Sequence, residues 1–94
     1  MNKETFQRAV VINDELQEVE DVMKIFEAQY TDSQGNPIGL LYEIDRIVLV
    51  YRNVKTDNHN EVNVPDKISD ILQEQIKTLL HQQRQRLQIE FDVL

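Results

Sequence analysis

Cysteine is absent from this sequence, and glycine and proline occur only twice each. Without cysteine there can be no disulfide scaffold and no zinc or iron–sulfur site held by thiolates. The scarcity of glycine and proline favours long regular elements joined by few turns. No apolar run approaches the roughly 20 residues of a membrane span, and the N-terminus lacks the pattern of a signal peptide. We therefore expect a cytoplasmic protein.

The chain has 94 residues and a formal net charge of −7, from 10 lysines and arginines against 17 acidic residues. This length corresponds to one domain, and a hydrophobic fraction of 40% is ordinary for a globular protein. Because phosphate binding needs clustered basic side chains, the acidic balance works against nucleic acid and anionic membranes as partners.

The first third of the chain carries an apolar heptad pattern. Spacings of three and four residues alternate along it, as in a helix that packs along one seam, and predict a helix over about 3–31. Gly35-Asn36-Pro37 is a strong stop signal beyond it. The pattern consists of Ala9, Ile12, Leu16, Val19, Met23, Phe26 and Tyr30.

The last third predicts a second long helix, over about 66–92. It begins at Val64-Pro65-Asp66, where proline suits the first turn and aspartate suits the cap. Gln83 falls near the middle of its apolar stripe, and one polar residue in a seam often fixes register or oligomeric state. The stripe consists of Ile68, Leu72, Ile76, Leu79, Leu80, Leu87, Phe91 and Leu94.

Between the helices the sequence predicts a β insert over about 38–64. Residues 47–54 are rich in β-branched and aromatic side chains, and a polar turn at 56–60 separates them from the alternating residues 61–64. These features predict a β-hairpin. Residues 38–45 fit a third strand or a helix about equally well.

Together these elements predict an α+β fold that is mainly α: a single domain with an antiparallel pair of long helices joined by a small β-hairpin insert. Residues 14–27 are strongly acidic and residues 77–88 are basic, which favours antiparallel packing. The same complementarity of acidic and basic segments could act between subunits. We expect an oligomer built through coiled-coil-like seams. The seam residues are Ile12, Leu16, Val19, Met23, Phe26, Ile76, Leu80, Gln83 and Leu87.

The sequence offers little catalytic or metal-binding chemistry. His59 and His81 lack a second ligand at metal-binding spacing, and both are expected to be solvated, His81 opposite the apolar stripe. No nucleophile lies in a recognisable frame, and residues 57–61 fit a turn better than a calcium loop. We therefore expect no enzyme activity, no metal and no cofactor.

One group of hydrogen-bond donors stands out in an otherwise acidic chain. Arginine forks suit phosphates, and a tyrosine ring can stack on a base, so the group is a candidate nucleotide site. The alternative is that the arginines only pair with the acidic first helix. The group consists of Arg46, Tyr51, Arg52, Arg84 and Arg86.

The heptad helix from Phe6 to Tyr30, the short β segment and a final helix opening on Val64-Pro65-Asp66-Lys67-Ile68 form a recognisable plan. In this plan the chain resembles small helix–insert–helix proteins encoded by phages and prophages of gut bacteria. The resemblance implies a non-enzymatic protein in the host cytoplasm that binds itself, a host protein, or both, as an adaptor or inhibitor. The alternative is a sponge for cyclic or linear nucleotides that counters host immune signalling.

Overall fold

A computed structural model describes residues 2–94 and confirms the mainly helical α+β class. Along the chain, two small antiparallel hairpins follow the first long helix and precede the second. The elements are α1 (Lys3–Glu27), β1 (Gln29–Thr31), β2 (Pro37–Leu40), β3 (Val48–Arg52), β4 (His59–Asn63) and α2 (Asp66–Asp92).

The chain divides into two compact units. The helical unit comprises the residues up to Glu43 together with Ile76–Leu94, so it holds α1, β1, β2 and most of α2. The hairpin unit comprises Ile44–Gln75, with β3, β4 and the start of α2.

Helix α1 begins where the side chain of Asn2 caps it, accepting a hydrogen bond of 2.8 Å from the backbone N–H of Thr5. It ends at Glu27, four residues before the predicted end at 31, and this part of the prediction is wrong. The reason is strand pairing: Ala28 is extended, and its carbonyl accepts a hydrogen bond of 2.7 Å from the N–H of Leu41. Tyr30 consequently lies in β1 instead of continuing the heptad seam.

Strands β1 and β2 form the first hairpin, with Tyr30 opposite Gly39. A Cβ at Gly39 would lie 3.2 Å from the tyrosine ring, so the ring packs closely over the glycine backbone. At the turn, Gly35 has a φ of +84°, which only glycine adopts at low cost. Part of the ambiguous segment 38–45 is therefore a strand, and its partner is β1.

Strands β3 and β4 form the predicted second hairpin. Leu49 lies opposite Val62, and the register continues without a bulge along both strands. Backbone hydrogen bonds of 2.8 Å extend it at each end, from Val64 to Ile47 and from Asn53 to Asn58.

In the helical unit, α1 and α2 pack antiparallel. Glu90 near the end of α2 lies beside Ile12 near the start of α1, whereas Arg84 lies beside Met23 near the end of α1. The most deeply buried apolar side chain is Leu87, only 1% exposed. The buried apolar residues are Ala9, Ile12, Met23 and Leu87.

Two members of the stripe predicted for α2 do not join its buried face. Ile68 and Leu79 are exposed. Leu79 directly precedes the half-buried Leu80, and adjacent residues on a helix point about 100° apart, so only one of the two can face the seam.

Candidate functional site

The seam residues predicted from the sequence are all buried or half-buried. On α1, Ile12 and Met23 are buried and Leu16, Val19 and Phe26 are half-buried. On α2, Leu87 is buried and Ile76, Leu80 and Gln83 are half-buried. Ile12 and Met23 line cavities that also include residues of α2, so at these two positions the seam faces the other helix of the same chain.

Two of the four candidate arginines lie within 4.0 Å of a carboxylate. Arg52 Nη1 is 2.7 Å from Asp57 Oδ1, at the turn between β3 and β4. Arg86 Nε is 4.0 Å from Glu90 Oε1, one helical turn further along α2. Arg84 shares a small cavity with acidic side chains of α1. A bound phosphate would have to compete with a carboxylate at Arg52 and at Arg86.

The five predicted ligand-binding residues do not form one cluster within a single unit. Arg46, Tyr51 and Arg52 belong to the hairpin unit, and Arg84 and Arg86 belong to the helical unit. On a helix, residues two apart do not face each other, so Arg84 and Arg86 point to different sides of α2. Nucleotide binding by these residues stays a prediction.

The cavity around Arg84 brings one residue of the basic part of α2 beside residues of α1. It is lined by Glu20, Met23, Lys24, Glu27, Ala28 and Arg84. Arg84, from the basic half of α2, therefore lies beside Glu20 and Glu27, from the acidic half of α1. This is the antiparallel arrangement that the charge pattern predicted. Side chains at such a half-exposed boundary contribute little stability but favour one packing direction.

His81 lies at the edge of the helix pair and contacts α1. Its Nε2 is 2.7 Å from Glu27 Oε1, and its Nδ1 is 3.4 Å from Arg84 Nη2. The expectation that His81 points away from the packed face is wrong, because it lies on the flank of α2 that meets the end of α1. The only sequence signal for this contact was the general match of acidic and basic segments.

Asp32 organises the turn between β1 and β2 and was not identified as a special residue in the sequence. Its Oδ1 accepts hydrogen bonds of 2.9 Å from the backbone N–H groups of Gln34 and Asn36. These donors, chiefly Asn36, hold the pKa of the Asp32 carboxyl below its ordinary value of 3.8. An Asp followed closely by Gly and Asn is the signal that could have predicted it.

Apolar side chains remain exposed on the outer flank of α1. Val11, Val22 and Ile25 are exposed there. A groove beside the first of them is lined by Glu4, Gln7, Arg8, Val11, Ile12, Glu15 and Glu90. This groove combines the apolar side chains of Val11 and Ile12 with three glutamates and one arginine.

The hairpin unit also exposes apolar side chains. Leu49, Val50, Tyr51 and Val62 are each at least half exposed, on a sheet of only two strands. His59 is exposed at the start of β4.

Within residues 2–94, no three His, Asp or Glu side chains are grouped so that they could hold a metal ion. Neither α1 nor α2, the helices of that same range, has a stretch long and apolar enough to cross a membrane. Comparison with known proteins gave no matching family model, no matching curated protein and no matching solved structure.

Proposed function

We propose that this protein acts by binding, as a small non-enzymatic homo-oligomer that engages a second protein as an adaptor or inhibitor. The observation that supports this most strongly is the set of apolar side chains left exposed within each unit, on the outer flank of α1 and on the second hairpin.

Much of the exposed surface is apolar, on the outer flank of α1 and on both strands of the second hairpin. Isolated apolar residues on a surface are normal, but apolar groups that recur on one helix flank and on one small sheet favour an interaction role.

Several further features agree with a binding role. Arg52 and Arg86 are paired with acids of the same chain, and the sequence offers no nucleophile or metal-ligand frame. The resemblance to phage-encoded proteins supports a host protein as the second partner and the host cytoplasm as the location. The nucleotide-sponge alternative is supported only by the presence of the arginines and a tyrosine.

Sedimentation velocity over a range of micromolar protein concentrations tests the self-association. We expect a discrete species heavier than the 11.1 kDa chain. A single species of monomer mass at every concentration would overturn the homo-oligomer.

Thermal-shift measurements with cyclic and linear nucleotides test the alternative. A ligand at 100 times its Kd stabilises a protein by about 2.7 kcal/mol, which raises the Tm of a chain of this size by at least about 10 °C. A shift of this size that is lost in Arg84→Ala, but retained in the matched exposed control Arg8→Ala, would favour the sponge. No shift with any nucleotide would remove it.

A further inference from the structure

The outer edge of β3 is an unpaired strand edge. In an antiparallel pair, residues alternate between those that bond to the partner strand and those whose backbone groups point away from it. The backbone hydrogen bonds of Ile47 with Val64 and of Asn53 with Asn58 fix this alternation. Leu49 and Tyr51 therefore bond to β4, and the N–H and C=O groups of Val48, Val50 and Arg52 point outward. No strand among residues 2–94 pairs with this edge.

This edge carries little of the usual protection. Native edge strands are commonly guarded by charged side chains, proline or a bulge; β3 has one charged residue, Arg52 at its end, but no lysine or proline, and its register is regular. Val50, at its centre, is 68% exposed. A hairpin of two strands is also marginal by itself, and stable sheets have three strands or more, or a covering element.

We propose that β3 pairs antiparallel with β3 of a second copy, with Val50 on the two-fold axis, so that two hairpins form one four-stranded sheet. This inference rests on the proposed self-association and identifies the surface that carries it. In this register Val50 faces the partner's Val50, and Val48 faces the partner's Arg52. Each of these pairs exchanges backbone hydrogen bonds in both directions, because their groups are the ones that point outward.

The side chains fit the same register. Leu49 comes to lie opposite the partner's Tyr51 on one face of the sheet, and the reverse pair forms by symmetry. Val62, directly across from Leu49 in the hairpin, extends this face. Aromatic and aliphatic cross-strand pairs are among the favourable ones in antiparallel sheets, so pairing two copies joins two small apolar patches into a continuous one.

Charge distinguishes β3 from β4 as the interface. The outward-pointing residues of β4 are His59, Glu61 and Asn63, so its symmetric pairing would place Glu61 opposite the partner's Glu61. Like charges directly opposite destabilise a sheet. The same glutamates mark the two outer edges of the four-stranded sheet and oppose addition of a further copy. The contact is isologous and closes at two hairpins.

Val50→Lys tests the pairing, because it places two ammonium groups opposite each other on the two-fold axis. Val54→Lys is the matched control: it makes the same chemical change at a position 82% exposed, in the turn beyond the end of β3. We expect Val50→Lys to weaken self-association at least about tenfold in sedimentation, and Val54→Lys to leave it unchanged. Far-UV circular dichroism checks that both variants fold.

Charge rescue makes the test specific to the two-fold pair. Val50→Lys should sediment as a weakened assembly, and an equimolar mixture with Val50→Glu should regain the wild-type mass, because opposite charges then meet at the axis. Val50→Glu also lies opposite Glu61 of its own hairpin, so its circular dichroism has to match that of the wild type before the mixture is measured. Amide exchange of the wild-type protein gives a measurement that needs no variant: the Val50 N–H should be protected, increasingly so with protein concentration.

The outcomes separate this inference from the function it rests on. An oligomeric wild type whose mass is unaffected by Val50→Lys, or whose Val50 amide exchanges freely, would overturn the β3 interface and leave the homo-oligomer standing. A monomeric wild type would overturn both.

Discussion

Replacing Leu87 by alanine tests whether the helix pair is held together where the structure places its core. Leu87 is 1% exposed. The substitution removes three carbon atoms, which corresponds to about 2.4 kcal/mol of transfer free energy at about 0.8 kcal/mol per methylene. The cavity left behind adds to this cost, and measured Leu→Ala losses run from about 2 to 5 kcal/mol. Since the neighbouring seam residues Leu80 and Gln83 are only half-buried, the site can partly collapse, and we expect a loss of about 2–3 kcal/mol.

Leu79→Ala is the matched control on the same helix. Leu79 is 62% exposed, yet its spacing placed it in the apolar stripe predicted from the sequence. The change in helix propensity is the same at both positions, so the difference between the variants reports burial alone. We expect Leu79→Ala to change the free energy of unfolding by less than about 0.5 kcal/mol.

Urea unfolding followed by far-UV circular dichroism measures both losses. It should be carried out at two protein concentrations, because self-association stabilises the folded state by mass action. Equal losses for the two variants at the lower concentration would refute the packing described for α2. A loss at Leu79 that appears only at the higher concentration would place this residue in a contact between copies.

Three further predictions concern the turn between β1 and β2 and the edge of the helix pair. Asp32 has a lowered pKa because the N–H of Asn36 donates to its carboxylate; its contribution to stability is present above the ordinary pKa and is lost as the pH falls through the lowered value. Wild type should therefore lose stability relative to Asp32→Asn on acidification from about pH 5 to about pH 3, and parallel pH profiles of the unfolding free energy would contradict this. Gly35→Ala should cost about 1–2 kcal/mol in urea unfolding, because φ is +84° and no atom lies within 4 Å of the added methyl, so the cost comes only from the backbone. Gly35→Asn should cost less than Gly35→Ala, and equal losses would refute this explanation. A double-mutant cycle of Glu27→Gln and His81→Gln should give a coupling of at most about 1 kcal/mol, since both side chains are nearly half exposed; a coupling above about 2 kcal/mol would contradict this.

Helix positions were predictable because their signals are local and repeated. The heptad spacing from Ala9 to Phe26 predicted α1, and Pro65 followed by Asp66 predicted the start of α2 at the residue where it begins. Each signal is repeated or reinforced along several turns, so one misplaced residue does not change the outcome.

The end of α1 was not predictable in the same way. Tyr30 fits the heptad spacing, but pairing with β2 across the turn competes with one more helical turn and prevails. Strand pairing depends on a segment ten residues further along the chain, which helical periodicity does not record. Leu79 shows a related limit: Leu79 and Leu80 have the same hydrophobicity, and only the position of the partner helix selects the one that is buried.

The candidate site was predictable as a set of residue types but not as an arrangement. The sequence identified the arginines and also the alternative, that acids of α1 oppose them. Within the helical unit Arg84 follows this alternative, with Glu20 and Glu27 in its cavity. Pairing of Arg52 with Asp57 escaped notice because it requires the tight turn after β3, in which Asp57 adopts a φ of +63°.

The hydrogen bond between the Leu41 N–H and the Ala28 carbonyl closes the base of the first hairpin. Because Ala28 and Leu41 are hydrogen-bonded neighbours, the hairpin between them starts and ends at one place and can be exchanged as a unit. A hairpin of another length, or one carrying an epitope, could replace residues 29–40 while Leu41 keeps its position and its hydrogen bond to Ala28. A change of length in this hairpin should therefore leave the packing of α1 against α2 unchanged. A reporter peptide inserted here would leave the outer flank of α1 and the edge of β3 unaltered.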